Sequence, residues 1–380
     1  MHVLFALDSF KGCLSSAEAC AAAAAGLRLG DTARCMPVSD GGEGLVDVLV
    51  SATNGRRIPV RVHDPLFQEM EASFGLSGDG ATAFVEVAAA SGLPLVPPAL
   101  RNPLRTTSYG TGELLRAALA TDARRIVLGL GGSATNDAGL GLLQALGFRL
   151  LDASGANLPT GATGADLPRV ASIVPPSELP AFTLTAPCDV RAPLYGPTGA
   201  AYVFAPQKGA TPETVQALDT GLRHIAEVFS SYGAPPHTAR AFTPTSPGCG
   251  AAGGIGAGIL ACLGARLVPG IDLVLDAIGL DNALRSADWV ITGEGRSDRQ
   301  TLMGKVPCGI AERAHRSGVR VALLSGGLAD EDALRTAFDV VASINPPGLP
   351  LAKALKPETA RANLARAVSA VLYGASAIER

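Results

Sequence analysis

The chain has 380 residues, 47% of them hydrophobic and 17% charged, with a formal net charge of −3. That length accommodates one large α/β unit or two domains with separate cores, and so apolar a composition excludes a mainly disordered chain. No run of Lys and Arg occurs, which removes the electrostatic footprint that a nucleic-acid partner would need.

The first element is the apolar run His2–Leu7, which has the character of a buried parallel strand and stops at Asp8. Ser15 followed by Glu18 predicts a capping box that opens an alanine-rich helix reaching about Leu29. A second strand near Arg34–Val38 leads through Asp40 and a glycine loop into a helix at Leu45–Thr53. This βαβα order predicts a parallel sheet covered by helices.

From about Arg57 the texture changes. Arg57–His63 and Glu71–Gly75 alternate polar and apolar residues, and with Phe84–Ala88 they predict antiparallel strands. A helix at Gly112–Leu119, the apolar strand Ile126–Leu130, a glycine turn and a helix at Asn136–Leu146 follow. A strand at Phe182–Thr185, a long amphipathic helix at Pro212–Val228 and a glycine-rich helix from near Ala251 complete the middle. The strand Trp289–Thr292, a helix at Pro307–Arg316 and the strand Arg320–Ser325 restore the simple rhythm. The class read from this order is α/β with two domains and an active site in the cleft. A discontinuous Rossmann-like parallel-sheet domain (residues 1–60 and 270–380) is interrupted by an inserted mixed α/β domain (residues 61–269).

Several chemistries lack their signatures. The seven cysteines are odd in number and include no C-x-x-C pair, against a disulfide framework or a zinc site. They read as reduced packing residues, with Cys188, beside an acid, the one to watch. The five histidines are scattered, and no G-x-S-x-G elbow occurs. The N-terminal MHVLFALDSFKG has no basic n-region, so no signal peptide is expected. Gly253–Val268, the most apolar long segment, is broken by five glycines and an arginine. No membrane partner is expected, and the cytoplasm is the expected location.

Five clusters carry the chemistry. Asp8-Ser9-Phe10-Lys11-Gly12 follows the first strand, and ligands of open α/β sheets bind beyond the carboxyl ends of strands. Its bland reading is a solvated turn that caps a helix. Ser39-Asp40-Gly41-Gly42-Glu43-Gly44 repeats that design, either for a metal or substrate hydroxyl or as a tight turn with helix-start acids. Gly131-Gly132-Ser133-Ala134-Thr135-Asn136-Asp137 joins a strand to a helix, where exposed N–H groups suit phosphate; it is neither a Walker A loop nor G-x-G-x-x-G. Cys188-Asp189-Val190 follows a short strand, and Lys208 supplies either a movable charge or surface decoration. Thr292-Gly293-Glu294-Gly295-Arg296-Ser297-Asp298, with Arg299 and Lys305 after it, mixes acids and bases at a strand end. That pattern fits Mg²⁺ and phosphate handled together, or a solvated loop of paired charges.

In order along the chain, these stretches resemble the bacterial glycerate kinase family, the type unrelated to P-loop or actin-like sugar kinases. The matching segments are DSFKG (8–12), SDGGEG (39–44), GTGELL (110–115), LGGSATNDAG (130–139), CDV (188–190), FAPQKGA (204–210), PGCGAAGGIG (247–256) and ITGEGRSDRQTLMGKVP (291–307). Leu7, Leu45 and Ala138 depart from the family pattern without removing a charge. The resemblance implies ATP, Mg²⁺ and D-glycerate, a two-domain α/β structure and 2-phosphoglycerate as product. On it, Asp189 is the candidate to orient or deprotonate the acceptor hydroxyl, with Asp8 second. Lys11 and Arg296, with Ser9 and Asp40, would hold the glycerate or the transferring phosphoryl. Glu294, Asp298 and Asp40 are candidates for Mg²⁺. Gly131, Gly132, Ser133, Thr135, Asn136, Lys208 and Lys305 would bind ATP. The alternatives are a kinase of another small hydroxy acid, such as tartronate or a longer sugar acid, and a non-catalytic ligand sensor on the same fold. The retained Asp189 and Lys305 speak against the sensor.

Overall fold

Strand β1 (His2–Leu7) is buried along all but its first residue, which requires packing on both faces of its sheet. The structure, a computed structural model of the chain, describes residues 1–38, 44–232 and 242–374. Two compact units result, one of residues 1–40 with 271–380 and one of residues 41–270.

After β1 come β2 (Thr32–Cys35), β3 (Arg56–His63), β4 (Glu69–Leu76), β5 (Thr82–Glu86), β6 (Arg125–Gly129), β7 (Arg149–Leu151), β8 (Ser172–Val174), β9 (Thr183–Pro187), β10 (Arg266–Val268), β11 (Trp289–Ser297), β12 (Arg320–Leu328) and β13 (Val340–Ser343). The first unit holds a five-stranded parallel sheet in the order β13-β12-β11-β1-β2. The chain runs outward from β1 to β2 and later resumes on the other side of β1 with β11. The strand order therefore reverses between β1 and β11, the point where doubly wound sheets open a ligand crevice. Val3, Phe5 and Leu7 share a core with Trp289, Ile291, Ala19 and Leu364, while the alternating Leu4, Ala6 and Val290 are equally buried.

The expected capping box is present, with Ser15 accepting from the Glu18 N–H and Glu18 from the Ser15 N–H, and it opens the helix Ser16–Ala24. That helix stops short of Leu29. The chain turns through Gly26, where a Cβ would lie 2.2 Å from the Ala365 carbonyl oxygen of the helix Pro357–Tyr373.

The second unit holds a mixed six-stranded sheet, β10-β9-β6-β5-β4-β3, with a separate antiparallel pair β7-β8. Of the three strands expected to be antiparallel, β3 and β4 pair so from Arg56↔Leu76 to His63↔Glu69. Strand β5 pairs antiparallel with β4 only at Gly75↔Phe84 and Leu76↔Ala83 and gives way to the helix Val87–Ser91, so the strand expected to reach Ala88 stops at Glu86. The strands β5, β6, β9 and β10 run parallel. The sequence reading placed the chain up to residue 60 in the first domain, whereas the structure groups the described residues 44–60 with the second unit. The reason is that β3 is the edge partner of β4, and the helix Leu45–Ala52 packs on β4 and β5.

Two more expectations change. The helix expected from Asn136 begins at Leu140, after Gly139 in the left-handed region at φ 77°. The strand expected to end at Thr292 continues as β11 to Ser297, so Glu294 and Arg296 stand on a strand rather than in a loop. Among the described residues no helix is long and apolar enough to cross a membrane. All seven cysteines are free thiols. Burial pushes the Cys188 thiol up to about 11, which leaves it protonated and unreactive at neutral pH.

Candidate active site

The parallel strands of the first unit converge on one cavity of about 570 Å³, lined among others by Asp8, Ser9, Lys11, Glu294, Arg296, Asp298 and Lys305. Seven of the residues singled out in the sequence thus meet in one unit. Topology explains it. Leu7 pairs with Gly293, so Asp8, just past β1, and Glu294, on β11, come from neighbouring parallel strands at the reversal of strand order. The Asp8 N–H donates to the Gly293 carbonyl at 2.9 Å, and the Ser9 N–H to Asp8 Oδ1 at 2.6 Å.

Glu294 is 8% exposed and held from one side. Its Oε1 accepts from Ser297 Oγ at 3.0 Å and from Thr301 Oγ1 at 2.6 Å, and Ser297 in turn contacts Ser325 Oγ. Both hydroxyls fix the carboxylate through Oε1. Asp298 caps the short turn Arg299–Leu302 by accepting from the Gln300 N–H at 2.9 Å, and Arg296 Nε lies 3.8 Å from its Oδ2. Lys305 precedes the helix Val306–Arg316 as its N-cap residue. Carboxylate oxygens beside three cations suit a magnesium triphosphate, because Mg²⁺ takes one or two carboxylates and completes its shell with phosphate and water. Among the described residues no group of three or more His, Cys, Asp or Glu side chains forms a metal cage.

The same cavity is lined by Gly326, Gly327 and Asn345, which the sequence reading did not single out. They follow the rule that found Asp8: β12 reaches its carboxyl end at Gly326–Leu328, and Asn345 lies just past β13. Asn345 Nδ2 donates to the Gly326 carbonyl at 2.7 Å, and its Oδ1 accepts from Asn363 Nδ2 at 2.9 Å, which locks the side chain.

In the second unit the 131–137 segment forms a buried polar knot. Gly131 and Gly132 are exposed, whereas Ser133, Thr135, Asn136 and Asp137 are buried. Lys208 is no surface decoration: it is 3% exposed, and its Nζ donates to Ser133 Oγ at 2.8 Å and to the Thr135 carbonyl at 2.7 Å. Burial pulls the Lys208 ammonium down to about 7, with the Asp137 carboxylate drawing it back up. Asp137, also unassigned in the sequence reading, is pushed upward by burial while four donors oppose that shift: the Ser108 N–H and Oγ and the N–H groups of Gly139 and Gly141. Among the described residues, the Thr135 hydroxyl and both Asn136 amide atoms are buried without a hydrogen-bond partner. The glycine-rich 247–256 stretch explains itself here. Gly253 lies at φ 67° against this knot, and a Cβ on it would sit 1.9 Å from the Thr135 carbonyl oxygen.

Asp189 is exposed just past β9, and its Oδ1 accepts from the Gly270 N–H at 3.0 Å. Asp189 and the 131–136 segment both follow carboxyl ends of parallel strands in the second unit. Asp40 lies outside the described residues.

The model of the glycerate kinase family matches residues 3–374 of this chain. A Bacillus subtilis (strain 168) protein named glycerate kinase is 46% identical over 364 residues, covering 94% of this chain and 93% of the relative. An Escherichia coli (strain K12) protein named glycerate 2-kinase is 42% identical over 337 residues, covering 87% and 86%. A crystal structure of a candidate glycerate kinase 2 from Salmonella typhimurium LT2 superposes with a TM-score of 0.85 at 43% identity, covering 98% of this chain and 97% of that one.

Proposed function

The chain belongs to the glycerate kinase family, and from that premise we propose that it transfers the γ-phosphate of ATP to the 2-hydroxyl of D-glycerate, giving 2-phosphoglycerate and ADP. The observation that supports this reading most is the placement of Asp8 and Glu294, each next to the Leu7↔Gly293 pair at the strand-order reversal, on a cavity also lined by Lys11, Arg296 and Lys305. Phosphoryl transfer asks a protein mainly for positioning and charge neutralisation, and this set of residues offers both.

Lys11, Arg296 and Lys305 bind and orient the triphosphate and the transferring phosphoryl group, with Ser9 on the same turn as Lys11. Glu294 and Asp298 hold Mg²⁺, which when bound neutralises charge on the phosphates. The buried hydroxyls of Ser297 and Thr301 keep Glu294 in one rotamer, so no reorganisation is required at that group. In the second unit, the exposed backbone of Gly131 and Gly132 contributes to phosphate binding. Ser133, Thr135, Asn136 and Lys208 form the rigid frame beneath it. Asp189 orients the acceptor hydroxyl and takes its proton, Asp8 being the alternative for that role, and Asp40 belongs to the substrate set.

An ADP-release assay over an acceptor panel of D-glycerate, L-glycerate and tartronate tests the reading. D-glycerate is expected to give the highest kcat/KM. Turnover with tartronate but none with D-glycerate would overturn the acceptor assignment.

A further inference from the structure

The residues around the cavity of the first unit fall into two chemical sets. One is the charged set already described. The other is apolar: Phe10, Cys13, Ile344, Leu351, Ala354 and Leu355. The two sets line the same cavity, and Phe10 of the apolar set stands between Ser9 and Lys11 of the charged one. Leu351 is 72% exposed and Leu355 43% exposed. They stand four apart across the short helix Leu351–Ala354, so they share one side of it. Two large aliphatic side chains are thus left open to solvent beside a cluster of ionic groups.

Neither end of the chemistry uses such a surface. Every carbon of glycerate carries oxygen, and phosphates are polar throughout. The one reactant portion with broad apolar faces is the purine base of the nucleotide. Size agrees, because a cavity of about 570 Å³ falls in the range of roughly 300–1,000 Å³ that encloses ligands far larger than a three-carbon acid. Gly327 borders open space, for a Cβ added there would meet no atom within 4 Å. We propose that the apolar set centred on Leu351 and Leu355 seats the purine base of the nucleotide, beside Lys11, Arg296 and Lys305 of the same cavity. This rests on the kinase reading only for the presence of ATP.

The test is direct binding to the full-length protein by calorimetry, with ADP as one probe and inorganic tripolyphosphate as the other. Replacing both exposed leucines (Leu351→Ser with Leu355→Ser) is expected to weaken ADP by about tenfold or more, the scale of one lost buried aliphatic contact. Tripolyphosphate affinity and the KM for D-glycerate are expected to stay within about twofold. Unchanged ADP affinity in this double variant would overturn the proposal, as would equal weakening of ADP and tripolyphosphate. Normal ADP binding by a wild-type protein that fails to phosphorylate glycerate would instead sink the acceptor assignment and leave the base site standing.

Discussion

Asp8, just past the end of β1, and Glu294, still on β11, each stand one residue beyond the Leu7↔Gly293 pair of these two strands. The sequence separates them by most of the chain, and the reversal of strand order joins them. In parallel sheets the space beyond such a pair is unobstructed by crossing connections, which is why ligands collect there.

The first prediction follows from how Glu294 is held. Glu294→Gln keeps an oxygen to accept from Ser297 and Thr301 but loses the charge. The fold should persist, kcat should fall by about 10²–10³, and half-maximal activity should need about tenfold more Mg²⁺. A Mg²⁺ titration of EDTA-stripped protein reads this. An unchanged titration curve would remove Glu294 from the metal site.

Asp189 allows a similarly clean replacement. In Asp189→Asn the carboxamide oxygen can still accept from the Gly270 N–H, while the proton acceptor is gone. We expect kcat to drop by about a hundredfold or more, with the KM for ATP nearly unchanged. Retained kcat would transfer the role to Asp8.

Lys208 gives a prediction in stability rather than rate. Its ordinary value of 10.5 is lowered by burial to about 7. Between those two values the unfolded chain binds the proton that the folded chain has released, so stability rises with pH across that window and levels off below it. The gain is at most about 1.4 kcal/mol per pH unit for one group. Urea unfolding at pH 7 and pH 9 should show this rise in the wild type and not in Lys208→Met. Parallel pH profiles for the two proteins would mean that Lys208 titrates normally.

What the sequence made legible was local. The capping box at Ser15 and Glu18, the buried β1 and the alternating β3 and β4 each follow from neighbours in the chain. What it hid was set by distant partners. Gly293 and Gly295 suggest a turn, yet Gly293 is a strand residue whose Cβ would lie 2.0 Å from the Leu324 carbonyl oxygen. Lys208 has the look of a surface lysine because its partners, Ser133 and Thr135, come 75 and 73 residues earlier. Asn136 and Asp137 are drawn out of the expected helix, with Asp137 committed to Ser108. Asn345 and the Gly326–Gly327 pair were within reach, since the strand-end rule that marks Asp8 marks them too once β12 and β13 are followed to their ends.

The most direct measurement is the proton-coupled phosphorus spectrum of the product formed from D-glycerate and ATP. Transfer to the 2-hydroxyl places the ester phosphorus next to one carbon-bound proton, and its resonance splits into a doublet, appearing in step with ADP. That is the expected result. A triplet, from coupling to the two protons of the 3-carbon, would contradict the assigned hydroxyl. A spectrum with no ester resonance while the nucleotide stays intact would contradict phosphoryl transfer to glycerate altogether.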